Sequence, residues 1–264
     1  MSPPGSFAPR RGFVELTIVA VVCALVGWRV VAWGESFAVS TGSVEPAIHS
    51  KVVARVRVVD FPEELVLYET VFWEPKDTTS LRDLIRAARI ADGKDVLEIG
   101  TGSGLISLCC AKSGANRVVA TDINSNAVAN ARDNARRLGV DDRIDVRQVS
   151  RHDPGAYAVL KDGETFDLII SNPPWENRRP TTIDSYALDD ENFALMRSLL
   201  SGLKSRLKPG GRAFLAYGCV SAIRELQKLA PQYGLTVRRH DDRDLDDLDE
   251  VFLPGMLLIV TPTK

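Results

Sequence analysis

The chain has 264 residues, 45% of them apolar and 26% charged, a composition that excludes a disordered, collagen-like or coiled-coil protein and suits one large domain or two small ones. Lys and Arg total 33 against 35 Asp and Glu, a net charge of −2, so there is no global basic field of the kind that drives non-specific nucleic-acid binding. With four cysteines and three histidines, Cys109 beside Cys110 and no C-x-x-C spacing, neither a disulfide framework nor a zinc site is expected, and no metal is implied.

In chain order, Phe13 to Trp33 is a nearly unbroken apolar run behind Arg10 and Arg11. It is long enough to span a bilayer, although Glu15 and Arg29 lie within it, and its clean centre, LTIVAVVCALVGW, equally suits a signal-peptide core. Residues 1–34 are therefore read as a membrane anchor or signal-like segment, with an ordinary buried segment as the competing reading. The small, turn-rich residues 35–50 form a linker, and 51–264 the folded body. Arg10 and Arg11 favour a cytoplasmic N-terminus and so an external body for a spanning segment. The expectation set against that rule is a cytoplasmic catalytic domain, membrane-associated through 13–33 if at all.

Residues 51–60 and 65–72 are β-prone and lead into a helix at 78–91. From Asp95 a short apolar run and a helix-period stretch alternate: strands at 95–100, 117–122, 143–150, 166–171 and 212–217, helices at 105–114, 125–139, 190–207 and near 220–230. The last strands, 235–240 and 256–262, have no full helix between them, so the sheet should end in an antiparallel pair. The acid-dense stretch DDRDLDDLDE at 241–250 reads as a solvated loop. The fold class is α/β, with a mostly parallel Rossmann-like sheet.

Between the first parallel strand and its helix lies EIGTGSG, with Gly100, Gly102 and Gly104 where missing side chains let the backbone turn tightly and approach a ligand. Leu105 stands where a dinucleotide fingerprint needs glycine, which argues against nicotinamide or flavin. Glu98 and Asp122 fall near the carboxyl ends of adjacent parallel strands, where open α/β sheets bind ligands, and a carboxylate there can accept both hydroxyls of a ribose.

Glu98-Ile-Gly100-Thr101-Gly102-Ser-Gly104 resembles the first motif of class I S-adenosylmethionine-dependent methyltransferases. The resemblance implies a seven-stranded sheet with a reversed final strand, S-adenosylmethionine as cofactor, the glycine loop against its methionine part, Asp122 on its ribose and Asp153 near its adenine, with Ser150 or His152 as alternatives there.

The stretch IISNPPW at 169–175 ends the strand beside that loop. Methylating a planar amide or aromatic amine requires its nitrogen to be aimed at an electrophilic methyl. Asn172 can accept one N–H through its side-chain oxygen, the Pro173 carbonyl can accept another, Pro173 and Pro174 stiffen the loop, and Trp175 can stack on the flat group. Orientation then supplies most of the rate and no strong base is needed. The competing reading is a plain turn with Trp175 in the core. The motif resembles the signature shared by adenine- and guanine-amino methyltransferases and by HemK-type enzymes, which methylate a glutamine side-chain amide in release factors.

ETVFWEPKDTTSLRDLI at 69–85 is similar to the stretch before the first motif in HemK-type enzymes, and implies that Pro75, Asp77 and Thr78 close over the cofactor's methionine end. A counterpart of the HemK N-terminal helical substrate domain is not expected in this sequence, where the apolar segment and linker stand instead. Arg178 and Arg179 could grip a nucleic-acid phosphate or an acidic protein patch, against a reading as solvated surface; Arg136, Arg137, Arg143, Arg147 and Arg151 could extend that basic face. The expected function is methyl transfer to a planar nitrogen, first a protein glutamine, then an adenine or guanine amine in RNA or DNA. A non-catalytic cofactor-binding module is the reading of another class.

Overall fold

The structure, a computed structural model, describes residues 51–263. The anchor expected at 13–33 and the linker at 35–50 lie outside the described residues. Among those described, no helix is long and apolar enough to cross a membrane.

The chain opens with an antiparallel hairpin of β1 (Val52–Val56) and β2 (Leu65–Tyr68), separate from the main sheet. Helix α1 (Thr79–Ala87) follows, and then β3 (Asp95–Ile99), α2 (Leu105–Lys112), β4 (Arg117–Asp122), α3 (Ser125–Arg137), β5 (Ile144–Gln148) and β6 (Phe166–Ser171). A long loop leads to α4 (Ala194–Arg206), β7 (Leu207–Cys219), α5 (Val220–Leu229), β8 (Leu235–Arg239) and β9 (Val251–Pro262). The seven-stranded sheet has the order β5-β4-β3-β6-β7-β9-β8. Strands β3 to β7 are parallel and β9 pairs antiparallel with both β7 and β8, so β9 alone is reversed, as expected.

Alternation along the strands divides the core between the two faces of the sheet. Val96, Val118, Leu168 and Ile170 pack under α1, α2 and α3 with Leu81, Leu108 and Ala131. Leu97, Val119 and Ile169 pack on the other face under α4 and α5 with Met196, Leu203 and Ile223. Helix α2 is buried along nearly its whole length, which is why LISLCCA carries no polar stripe. Both neighbouring cysteines are buried free thiols.

Two elements differ from the periodicity. Strands β7 and β9 begin earlier than their apolar runs, at Leu207 and Val251, because pairing continues past the hydrophobic stretch. The acidic loop is partly tied down: Asp241 accepts from Arg243, and Glu250 accepts the Ser221 N–H at 3.1 Å.

Helix α3 presents a row of asparagines to the hairpin. Asn134 Oδ1 accepts the Val66 N–H at 2.9 Å, and its Nδ2 donates to the Val66 and Ser103 carbonyls at 3.0 and 2.9 Å. Asn130 accepts the Tyr68 N–H at 3.0 Å and donates to the Val66 carbonyl at 2.8 Å. Both are fully buried. A two-stranded hairpin is marginal alone, and here its backbone groups are satisfied by a helix instead of a third strand.

Candidate active site

A cavity of about 510 Å³ opens at the carboxyl ends of β3, β4 and β6. Its floor is the glycine loop. Gly100 and Gly102 have φ of +77° and +56°, and a Cβ on either would project into open space with nothing within 4 Å. A ligand can therefore lie directly against this backbone. Gly104 serves packing: it is off the cavity lining, and a Cβ there would stand 3.1 Å from Ala131 of α3.

Glu98 lies on the cavity wall yet is only 2% exposed. Its Oε2 accepts the Thr101 hydroxyl at 2.7 Å, the Ser107 N–H at 3.0 Å and the Ser107 hydroxyl. Burial pushes its carboxyl up to about 7, against the lowering effect of those bonds. Asp122 sits at the cavity edge, accepting the Gly102 N–H and the Asn124 N–H, each at 2.8 Å; burial raises its carboxyl as well. Both acids thus shape the loop that forms the floor.

The roof is the segment Thr70–Thr78. Thr70 holds φ at +63°, an unfavourable region for a β-branched residue, and its carbonyl accepts the Asn124 amide at 2.8 Å. Arg82 of α1 fixes the turn at Pro75–Thr78 from behind. It donates to the Pro75 carbonyl at 2.8 Å and to Thr78 Oγ1 at 3.3 Å, and pairs with buried Asp60. Thr78 lines the cavity. Asp77, 2% exposed, lies off the lining, with burial pushing its carboxyl up to about 6 and the Asn172 amide hydrogen-bonding it in opposition.

Asn172 and Pro174 line the cavity at the end of β6. Asn172 Oδ1 is buried and has no hydrogen-bond partner. Pro173 and Trp175 are off the lining, so the stacking expected of Trp175 has no support from the cavity's shape. Its ring is 8% exposed and packs against Gly218, where a Cβ would come within 2.4 Å of it. The indole goes to the core, into the cluster under α4 and α5.

Other residues expected at the site also lie off the lining. Asp153 is exposed and off the lining; Val149 and Pro154–Ala156 form that wall. Arg178 pairs with Glu176 and Asp189 at 2.9 and 3.0 Å, clamping the loop after the motif, and neither it nor Arg179 lines the cavity. Of the wider basic face, Arg136 and Arg137 pair with Asp133 at 4.0 and 3.2 Å, and Arg147 pairs with Asp145 and Glu164 at 2.7 and 2.6 Å. Residues that sequence reasoning passed over include Asn124, Thr70 and Asp190. Asp190 lines the cavity and accepts the Leu195 and Met196 N–H groups at the start of α4. The D-x-N spacing after β4 was the one available signal for Asn124.

The family model for "Ribosomal protein L11 methyltransferase (PrmA)" matches residues 77–173. A Methanocaldococcus jannaschii protein whose name proposes N5-glutamine methyl transfer is 32% identical over 179 residues, covering 64% of this chain and 83% of that one. The release factor glutamine methyltransferase of Bordetella pertussis is 32% identical over 59% of this chain, and this chain spans 58% of that enzyme. Among solved structures, the ribosomal protein L11 methylase of Lactobacillus delbrueckii subsp. bulgaricus superposes with a TM-score of 0.54 at 18% identity, covering 74% of this chain and 82% of that one. Fold, glycine loop and matches together define a class I S-adenosylmethionine-dependent methyltransferase. Within that class, the chain belongs to the same methyltransferase family as the M. jannaschii protein.

Proposed function

We propose that residues 51–264 transfer a methyl group to a planar nitrogen, specifically a glutamine side-chain amide of a protein. The observation that carries this is Asn172 Oδ1, an acceptor buried without a partner in the wall of the cavity that the glycine loop floors. An unsatisfied buried acceptor costs about 1–3 kcal/mol, and the N–H of a substrate amide relieves it.

The cavity fits the cofactor. Open space stands over Gly100 and Gly102, and Asp122, which orders Gly102, would accept ribose hydroxyls. Thr101 and Thr78, both in the lining, would flank the methionine end. When bound, S-adenosylmethionine supplies an electrophilic methyl on a sulfonium. The protein's own work is alignment: Asn172 holds the acceptor nitrogen by its hydrogen, Pro174 stiffens the approach, and the roof over Thr70–Thr78 keeps water out. The relatives named for glutamine methylation favour a protein acceptor. So does the pairing of Arg178, which leaves it poorly disposed to grip a phosphate.

The test uses the full chain, labelled S-adenosylmethionine and a cell extract. Label is expected in material that protease destroys and nuclease does not, and it is lost with Asn172→Ala. Label in nucleic acid would replace the glutamine reading with a base-amine one. No transfer, with cofactor affinity unchanged by Asn172→Ala, would make the chain a binding module.

A further inference from the structure

Six large apolar residues are exposed among those described, and three of them, Val52, Val53 and Val59, fall within residues 51–59 at the start of the hairpin. Accessibility alternates along this stretch: Val53, Arg55, Arg57 and Val59 are exposed, while Ala54, Val56 and Val58 are half-buried. Val56 and Val58 pack against the core under α1, α2 and α3. The pleat of β1 sends alternate residues to opposite sides, and the accessibility pattern carries that division on to Val59. The outward row is thus two cations bracketed by two valines over about 20 Å, with Lys51 just before it. The outer face of a hairpin packed on a protein core ordinarily carries polar side chains throughout, yet here Val53 is 56% and Val59 85% exposed.

The charges of the row are only partly paired. Arg57 meets Glu64 at 3.0 Å, whereas Lys51 and Arg55 make no ion pair among the described residues. Of the other acids in the hairpin, Asp60 is held by Arg82 and Arg86, and Glu63 is exposed in the turn. Strand β1 pairs with β2 alone, so its outer edge is open. That edge is defended against a further strand: the register slips between Val52 and Ala54, a bulge that bends it, and Arg55 and Arg57 would oppose like charges in a second copy. The outward side chains, not the edge, are what the hairpin offers a partner.

The chain arrives at this row from the apolar run 13–33. Residues 34–50 separate the two, at most about 60 Å of extended chain. A bilayer that takes up the run therefore lies within reach of the hairpin, and the tether keeps the row at high effective concentration beside it. Apolar side chains alternating with cations suit the boundary of such a bilayer, where valines enter the interfacial layer and Lys and Arg meet anionic headgroups.

We propose that Val53, Arg55, Arg57 and Val59, with Lys51, form a docking face for an anionic bilayer surface, which seats the methyltransferase body against the membrane in one orientation. The tether part of the argument rests on the bilayer reading of residues 13–33. The methyl acceptor plays no part in it.

The test uses the full chain with Cys23→Ser, the described cysteines being buried. Val59→Cys carries an environment-sensitive fluorophore, Val53→Cys is a second reporter in case the first variant does not fold, and Asp162→Cys, in the exposed turn before β6, is the control. Phosphatidylcholine vesicles with and without phosphatidylserine contain a nitroxide-lipid quencher. With phosphatidylserine, the label at position 59 is expected to shift to shorter wavelength and to be quenched, and the control label to do neither. Lys51→Gln combined with Arg55→Gln is expected to weaken docking roughly 10- to 30-fold, and salt at about 1 M to release it, with the chain still floating with the vesicles. A chain that floats while its label at position 59 stays in water would overturn the proposal, as would a chain that stays off the vesicles. A label shielded without lipid, in a species of twice the mass, would overturn it too and assign the face to a second copy. No arm reads methyl transfer, so this proposal and the glutamine reading stand or fall separately.

Discussion

Replacing Glu98 by glutamine should change how the stability of this fold depends on pH. Glu98 is buried beneath the glycine loop, and its carboxyl rises from an ordinary 4.5 to about 7. Between those values the native state keeps a proton that the unfolded chain has released, so the native state binds more protons and stability falls as pH rises. The contribution is whole below about 4.5, fades across the window and is gone above about 7. At about 1.4 kcal/mol per unit of displacement, the loss attributable to this one group is about 3 kcal/mol. Glutamine keeps an oxygen for Thr101 and Ser107 and cannot ionise. Urea unfolding of both proteins at about pH 5 and about pH 8 gives the comparison. The variant is expected to gain about 2.5 kcal/mol relative to wild type between the two conditions, part of the loss falling below pH 5, whatever constant offset its amide introduces. A difference that is the same at both pH values would refute the reasoning, because Glu98 would then be ionised throughout.

Two further outcomes follow from packing. Asn134→Leu strands the buried Val66 N–H and the Ser103 carbonyl, and should lower unfolding free energy by about 3–5 kcal/mol; a loss under about 1 kcal/mol in a urea titration would mean that the hairpin is not held by α3. Gly218→Ala drives a methyl into the Trp175 ring and the Phe252 carbonyl, and should cost about 1–3 kcal/mol with a shift in tryptophan emission. An unperturbed melting temperature would return Trp175 to the cavity.

Much of the architecture was legible because it is local. The alternation of Val96, Leu97, Val118 and Val119 and the helix-period stretches between them specify parallel strands and their crossovers. The glycine run before α2 and the asparagine-proline motif after β6 sit at strand ends by their position in the chain alone. A sheet of parallel strands then brings those ends to one edge, so cofactor loop and acceptor motif were bound to meet.

Side-chain direction at that edge is a different matter, since it depends on partners distant in sequence. Asn172 and Trp175 are three residues apart, yet one faces the cavity and the other the core, because Gly218 of β7 leaves room for an indole. Arg178 pairs with Asp189 across the loop, a partner that its place beside the motif did not announce. Asp77 is buried off the cavity lining, in a turn seated by Gly255 of β9, far along the chain. Hydrophobic periodicity carries the element and its buried face; which polar atoms lose their water, and to whom they then bond, is set only when strands and turns from opposite ends of the chain close around the same cavity.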